Sequence, residues 1–248
     1  MLREEELQRY ARQIMIRGIG VEGQEKLKKA RVVIVGSGGL GSPIAIYLAA
    51  AGVGTIRIID QDTVDLSNLN RQVLHWQKDI GRRKVDSAAE KLGQLNHDVV
   101  IDPIAETIDA SNIGRLAAGF DLIVDATDNL ETRFLLNAAA FQQKVPFIHG
   151  AVRGFEGRVT TIVPGQTACL RCIYRGPLPQ EKTPVIGVTP AVVGCLQATE
   201  AIKYIVGVGQ LLTNQLLVYD GLKMRFTTLM IRRDPNCPQC GQAGEVKT

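Results

Sequence analysis

The sequence predicts an α/β protein with a mostly parallel sheet covered by helices on both faces. Three observations carry the prediction. From residue 31 to about 151, short runs rich in β-branched residues alternate with segments of helical period. A glycine-rich turn joins the first of these runs to the segment after it, where a strand passes into a helix. Hydrophobic residues make up 45% of the 248 residues and charged residues 22%, which supplies a large core and excludes a disordered or fibrous chain.

Taken in order, residues 3–16 predict an amphipathic helix, with Leu7, Tyr10, Ala11, Ile14 and Met15 on one face, and 22–29 a second short helix. Arg31-Val32-Val33-Ile34-Val35 reads as a buried strand. The helix after it runs to about Ala51, where Gly52 and Gly54 stop it. A second strand covers Thr55 to Asp60. Strands at 99–104, 121–125 and 146–151 then alternate with helices at 84–95, 109–117 and 130–142. From 156 the pattern changes. Gly157 to Val163 reads as a strand, 174–190 as a Pro- and Gly-rich mobile loop, and 191–206 as a helix. Strands 215–220 and 223–230 form a hairpin around Asp220-Gly221, so the sheet is expected to be extended by an antiparallel C-terminal part. The chain reads as a single domain: a helical segment over 1–30, a βα core over 31–151 and a remaining part over 152–248.

The net charge is +4, and the longest basic cluster, Arg82-Arg83-Lys84, is too short for a phosphate-tracking tract, which argues against nucleic acid as a partner. Acids at Glu4, Glu5 and Glu6 argue against a secretory signal. The apolar stretch Val185 to Leu212 is interrupted by Glu200, Lys203 and several glycines and does not read as a membrane span, so a cytoplasmic protein is expected.

Gly36-x-Gly38-x-x-Gly41 stands between a strand and a helix, the place of a phosphate-binding turn. Glycines let backbone N–H groups approach phosphate oxygens, and the helix N-terminus adds partial positive charge. Asp60 ends the next strand, at the spacing of a carboxylate that binds a ribose hydroxyl. This predicts a Rossmann-like nucleotide fold and leaves NAD, FAD and ATP open. After Asp60 and Asp62, the segment Ser67-Asn68-Leu69-Asn70-Arg71-Gln72 offers Asn68, Arg71 and Gln72 as phosphate donors. Lys84 opens a helix, and Asp128 lies just beyond a strand end. Taken singly, Arg12 reads as a solvated charge, Lys84 as a first-turn residue and Asp128 as an N-cap.

Four of the five cysteines form two Cys-x-x-Cys pairs, Cys169/Cys172 and Cys237/Cys240. Four thiolates suit a closed tetrahedral Zn²⁺ site of structural type. Cys195, in an apolar helical stretch, reads as a buried structural cysteine.

Gly36-Ser-Gly-Gly-Leu-Gly41, Asp60-x-Asp62, Ser67 to Gln72, Lys84 and Asp125-Ala-Thr-Asp-Asn129 together resemble the MoeB/ThiF/HesA family, bacterial relatives of the ubiquitin-activating enzymes. Arg9-Tyr10-Ala11-Arg12-Gln13 resembles the family's opening helix, and both cysteine pairs match its zinc site. The resemblance covers nearly the whole chain. It implies ATP as the nucleotide, contacted by Gly36, Gly38, Gly39 and Gly41, with Asp60 on the ribose. Asn68, Arg71, Gln72 and Lys84 would surround the phosphates, and Asp128, beside Asn129, would hold Mg²⁺. It implies a homodimer in which Arg12 enters the partner's site. It also implies an adenylyltransferase whose substrate is a small β-grasp sulfur-carrier protein ending in Gly-Gly, serving molybdopterin or thiamine biosynthesis. Arg153, Phe155 and the 174–190 loop are candidates for the tail-binding face. Some relatives carry a cysteine in that loop, where Thr183 stands here, which puts covalent chemistry with the carrier in doubt. The rival readings are an NAD-dependent oxidoreductase, a nucleotide-binding adaptor, and an adenylating relative acting on a tRNA base or a peptide.

Overall fold

The computed structural model describes residues 1–175 and 184–241. Five parallel strands form the first part of the sheet: β1 (Arg31–Val35), β2 (Thr55–Ile59), β3 (Val100–Ile104), β4 (Leu122–Asp125) and β5 (Phe147–Arg153). Three antiparallel strands extend it: β6 (Glu156–Ile162), β7 (Gln215–Asp220) and β8 (Arg225–Met230). The spatial order is β3-β2-β1-β4-β5-β6-β7-β8. β1 is central, with Ile34 opposite Ile58 of β2 on one side and Val124 of β4 on the other.

Period-2 alternation along β1 sends Val32 and Ile34 to one face and Val33 and Val35 to the other, and all four are buried. The first face packs under α3 (Gly20–Lys29), α4 (Gly41–Ala51), α5 (Lys84–Leu95) and α9 (Val188–Val206), through Leu27, Ile44, Leu48, Leu92 and Val193. The second packs under α6 (Ile113–Ala117), α7 (Leu130–Gln143) and α8 (Leu170–Ile173), through Leu116, Leu136, Ala140 and Leu170. Fully burying each large aliphatic side chain contributes about 1.5–3 kcal/mol, so both layers are needed to hold the sheet. Among the described residues, no helix is long and apolar enough to cross a membrane.

Four expectations are corrected. The helix expected over 3–16 is broken into α1 (Glu4–Arg9) and α2 (Ala11–Ile14), with Tyr10 between them at φ −97°, ψ 10°. Tyr10 is turned into the protein, where its hydroxyl accepts a 2.8 Å hydrogen bond from Asn96 Nδ2; Leu7 and Met15 are left 40% and 82% exposed. The helix expected over 109–117 is shortened at its start, because the Asp109 carboxylate accepts the backbone N–H groups of Ser111 and Asn112 in a local turn. α9 begins at Val188 rather than 191: Pro190 falls in its first turn, where a missing N–H costs nothing. The hairpin turns over 221–224, with Asp220 accepting from Leu222 and Lys223 N–H and with Met224 at φ 47°, so its second strand starts at Arg225 rather than 223.

Candidate active site

A cleft of about 780 Å³ opens at the carboxyl ends of β1, β2 and β4. The chain leaves β1 towards β2 on one side and returns to β4 on the other. This is the topological switch point, where open parallel sheets bind ligands because the crossovers diverge there. Of the sequence-predicted residues, Gly36, Gly38, Gly39, Asp60, Asp62, Asn68, Arg71, Gln72, Lys84, Asp128 and Asn129 line this cleft.

The glycine turn is built by close approach. Gly36 has φ 97°, and a Cβ there would lie 2.5 Å from the Ala126 carbonyl oxygen. Gly41, expected to contact the nucleotide, lies outside the lining. A Cβ on it would sit 2.0 Å from Gly36 O, so this glycine packs the helix start against the turn. Asp60 is committed to the turn as well: Oδ2 accepts Ser37 N (2.8 Å) and Ser37 Oγ (3.1 Å), and Oδ1 accepts Asp62 N.

The donors expected to face phosphates come from the segment after β2. Asn68 Oδ1 accepts Asp65 N, which closes a short 3₁₀ turn over Leu66–Asn68. Arg71 donates to Ser67 O (2.8 Å) and Asn70 Oδ1 (3.0 Å) and has no carboxylate partner among the described residues. Lys84 is buried at the first position of α5 and pairs with Asp62 at 2.8 Å, so it is not a solvated first-turn lysine. Across the cleft, Asn129 is the N-cap of α7, its Oδ1 accepting Thr132 N at 2.9 Å. That leaves the exposed Asp128 without a hydrogen bond among the described residues, free to bind a cation. Arg12 lies exposed on α2, outside the cleft of its own chain. Arg153 and Phe155 lie exposed at the β5–β6 turn, outside the lining. Thr183 and the rest of 176–183, within the expected 174–190 loop, fall outside the described residues. Cys195 is only half buried, and burial pushes its thiol up.

Sequence reasoning missed two residues that shape the cleft. Arg133 lines it, donates to Thr127 O at 2.6 Å and lies 3.4 Å from Asp125. His75 is buried behind the glycine turn, with Nε2 2.9 Å from Ser37 O and Nδ1 2.9 Å from Ser87 Oγ. A carbonyl only accepts, so Nε2 carries the proton. The signal for His75 was a lone histidine inside an apolar-polar mixture, which carries no information until Ser37 is brought against it.

Burial lowers the affinity of both His75 and the fully buried His149 for a proton. The unfolded chain protonates its histidines near pH 6.5. Below that pH the unfolded state binds more protons, so stability is lost as the pH falls, by up to about 1.4 kcal/mol per pH unit for each ring. The melting temperature is expected to fall between pH 7.5 and 5.5. It should fall less steeply in His75→Gln, whose side-chain amide can still donate to Ser37 O. Equal slopes in thermal melts of the two proteins would remove His75 as a source of acid sensitivity.

The four paired cysteines converge on the far face. Their sulfurs lie within 4.8 Å of one another, with Cys169 to Cys237 at 3.5 Å and Cys172 to Cys240 at 3.4 Å, and all four residues are buried. These separations are far longer than a disulfide bond and close to the roughly 3.8 Å edge of a tetrahedron built on Zn–S bonds of about 2.3 Å. Asp234 N–H points at Cys172 Sγ from 3.5 Å, the kind of donor that steadies a metal thiolate. The donor set fits zinc.

The ThiF family model matches residues 10–239. The SAMP-activating enzyme E1 of Haloferax volcanii is 45% identical over 96% of this chain and 90% of its own length. The sulfur carrier protein adenylyltransferase of Thermus thermophilus is 42% identical over 96% and 92%. The crystal structure of E. coli MccB with ATP superposes with a TM-score of 0.82 at 27% identity, covering 89% of this chain and 69% of that one.

Proposed function

The chain belongs to the ThiF family, and on that premise we propose that it uses ATP to adenylate the C-terminal carboxylate of a ubiquitin-like sulfur-carrier protein. The observation that carries the reading is the pairing, across one cleft, of a glycine turn at the switch point with Arg71, Lys84 and an Asp128 that makes no hydrogen bond among the described residues. A bound nucleotide would lay its phosphates between these groups.

In the proposed reaction a carboxylate oxygen of the carrier attacks the α-phosphorus of ATP. A C–O–P bond forms, the bond from the α-phosphorus to the bridging oxygen breaks, and pyrophosphate leaves with that electron pair. The attacking group is already ionised at neutral pH, so no general base is required. What the site must supply is alignment and positive charge against two approaching anions. Arg71, with no carboxylate partner among the described residues, would do this without first breaking an ion pair there. Lys84 is held by Asp62, which fixes its ammonium at the cleft wall. Mg²⁺, held by Asp128, would offset phosphate charge when bound. Zinc on the cysteine quartet would serve structure alone, since four protein sulfurs leave no open position.

The carrier is read as a β-grasp protein ending in Gly-Gly, whose side-chain-free tail can thread to the α-phosphate beside Val152 and Pro190 of the lining. Arg12, exposed and outside its own cleft, is assigned to the neighbouring site of a homodimer. A cytoplasmic location is part of the same reading.

ATP–pyrophosphate exchange with Mg²⁺ tests the proposal. Exchange is expected only when a Gly-Gly-ended carrier is present, and is expected to vanish when the carrier's last glycine is deleted. Thermal stabilisation by NAD and not by ATP–Mg²⁺ would overturn it in favour of an oxidoreductase.

A further inference from the structure

Behind Asp128 lies a buried chain of hydrogen bonds that the adenylation reading does not use. Asp125, at the end of β4, and His149, on β5, are both 0% exposed. His149 Nδ1 lies 2.7 Å from Asp125 Oδ2, and His149 Nε2 lies 3.0 Å from the Tyr174 hydroxyl. The other Asp125 oxygen accepts Thr127 N (2.9 Å) and Thr127 Oγ1 (2.7 Å). Gln197 Nε2, from α9, holds the Asp125 backbone carbonyl at 2.6 Å.

Proton positions follow from the partners. A carboxylate accepts, so Nδ1 carries the ring proton; Nε2 is then an acceptor, and Tyr174 donates to it. Burial opposes charge on both groups. Arg133, followed by the donors from His149 and Thr127, still holds the Asp125 carboxylate below its ordinary range, while burial keeps His149 neutral. The result is one connected network: Tyr174 O–H donates to His149, and His149 and Thr127 both donate to the Asp125 carboxylate. One end follows directly on α8, which carries Cys172. The other end is the residue before Asp128.

We propose that His149 is a positioning residue: it locks the Asp125 carboxylate so that the Thr127–Asn129 loop presents Asp128 to the cleft, and Tyr174 joins that lock to the cysteine knuckle. The assignment rests on the adenylation reading for the role of Asp128. Without the Nδ1 proton, the Asp125 carboxylate loses a buried partner and is free to turn towards Arg133, and Thr127 is released with it.

The test measures binding of ATP–Mg²⁺ by calorimetry, without carrier, beside the Mg²⁺ concentration for half-maximal exchange, zinc content and melting temperature. His149→Leu is expected to keep its zinc while weakening ATP–Mg²⁺ binding and raising the Mg²⁺ requirement about tenfold. His149→Asn, whose side-chain N–H occupies the place of the Nδ1 proton, should stay within about threefold of the natural protein on both measures. A His149→Leu protein with a lower melting temperature but unchanged nucleotide and Mg²⁺ dependence would reduce His149 to a packing residue. If His149→Leu does not fold, Tyr174→Phe decides: a roughly threefold weaker ATP–Mg²⁺ affinity with zinc retained supports the chain, and unchanged affinity overturns it. Intact ATP binding without carrier-dependent exchange would sink the adenylation reading alone. A natural protein that binds no ATP would sink both.

Discussion

Asp128→Ala and Arg71→Ala are each expected to leave the protein folded and to lower carrier-dependent pyrophosphate exchange by a hundredfold or more. Asp128 is exposed and makes no hydrogen bond among the described residues, because Asn129 takes over the capping of α7. Its removal therefore orphans no partner among the described residues. Among the described residues, Arg71 donates only to its own local turn, at Ser67 O and Asn70 Oδ1, so its loss is expected to cost little stability. In the reaction both losses strike at charge that develops as pyrophosphate leaves, and removing one preorganised charge from such a site costs about 3–4 kcal/mol of barrier. Lys84→Ala is a poorer test, since it strands the Asp62 carboxylate and empties a buried position. Circular dichroism and thermal melts establish that the two variants fold. Near-native exchange by either folded variant would overturn its assignment.

Zinc removal is expected to have the largest effect on stability. Cys169 and Cys172 lie at α8, while Cys237 and Cys240 lie beyond β8, and their sulfurs meet inside the second core layer beside Leu170 and Ala140. Binding of one ion there couples to folding directly, because the unfolded chain has no preformed site. Cys240→Ser is expected to purify without its zinc and to lose at least about 3 kcal/mol, which lowers the melting temperature by about 6–12 °C for a chain of this size. Metal analysis of freshly purified, reduced natural protein should find one zinc per chain. Zinc-free protein with an unchanged melting temperature would show the four sulfurs to be ordinary buried thiols.

Much of this protein was legible before any coordinates. The alternation of strands and helices, the glycine turn, Asp60, Arg71, Lys84, Asp128 and the paired cysteines are local patterns, and local patterns survive in one dimension. β-Branched runs, a turn that only glycine can make and Cys-x-x-Cys spacing each carry their physical reason within a few residues. The sequence by itself therefore determined the fold class, the glycine turn, many of the residues that line the cleft and the four cysteines that cluster.

Tertiary structure decided what depends on residues far apart. The break at Tyr10 follows from Asn96, 86 residues away, offering its amide to the tyrosine hydroxyl. The choice between Asp128 and Asn129 as helix cap rested on which side chain reaches Thr132 N–H. Gly41 moved from ligand contact to packing because Gly36 folds back onto it. His75 and His149 have no local signal: a lone histidine is assigned only by what surrounds it, and Ser37, Ser87, Asp125 and Tyr174 arrive from other elements. Hydrogen-bond partners and desolvation are properties of three-dimensional neighbours, which spacing along the chain does not encode.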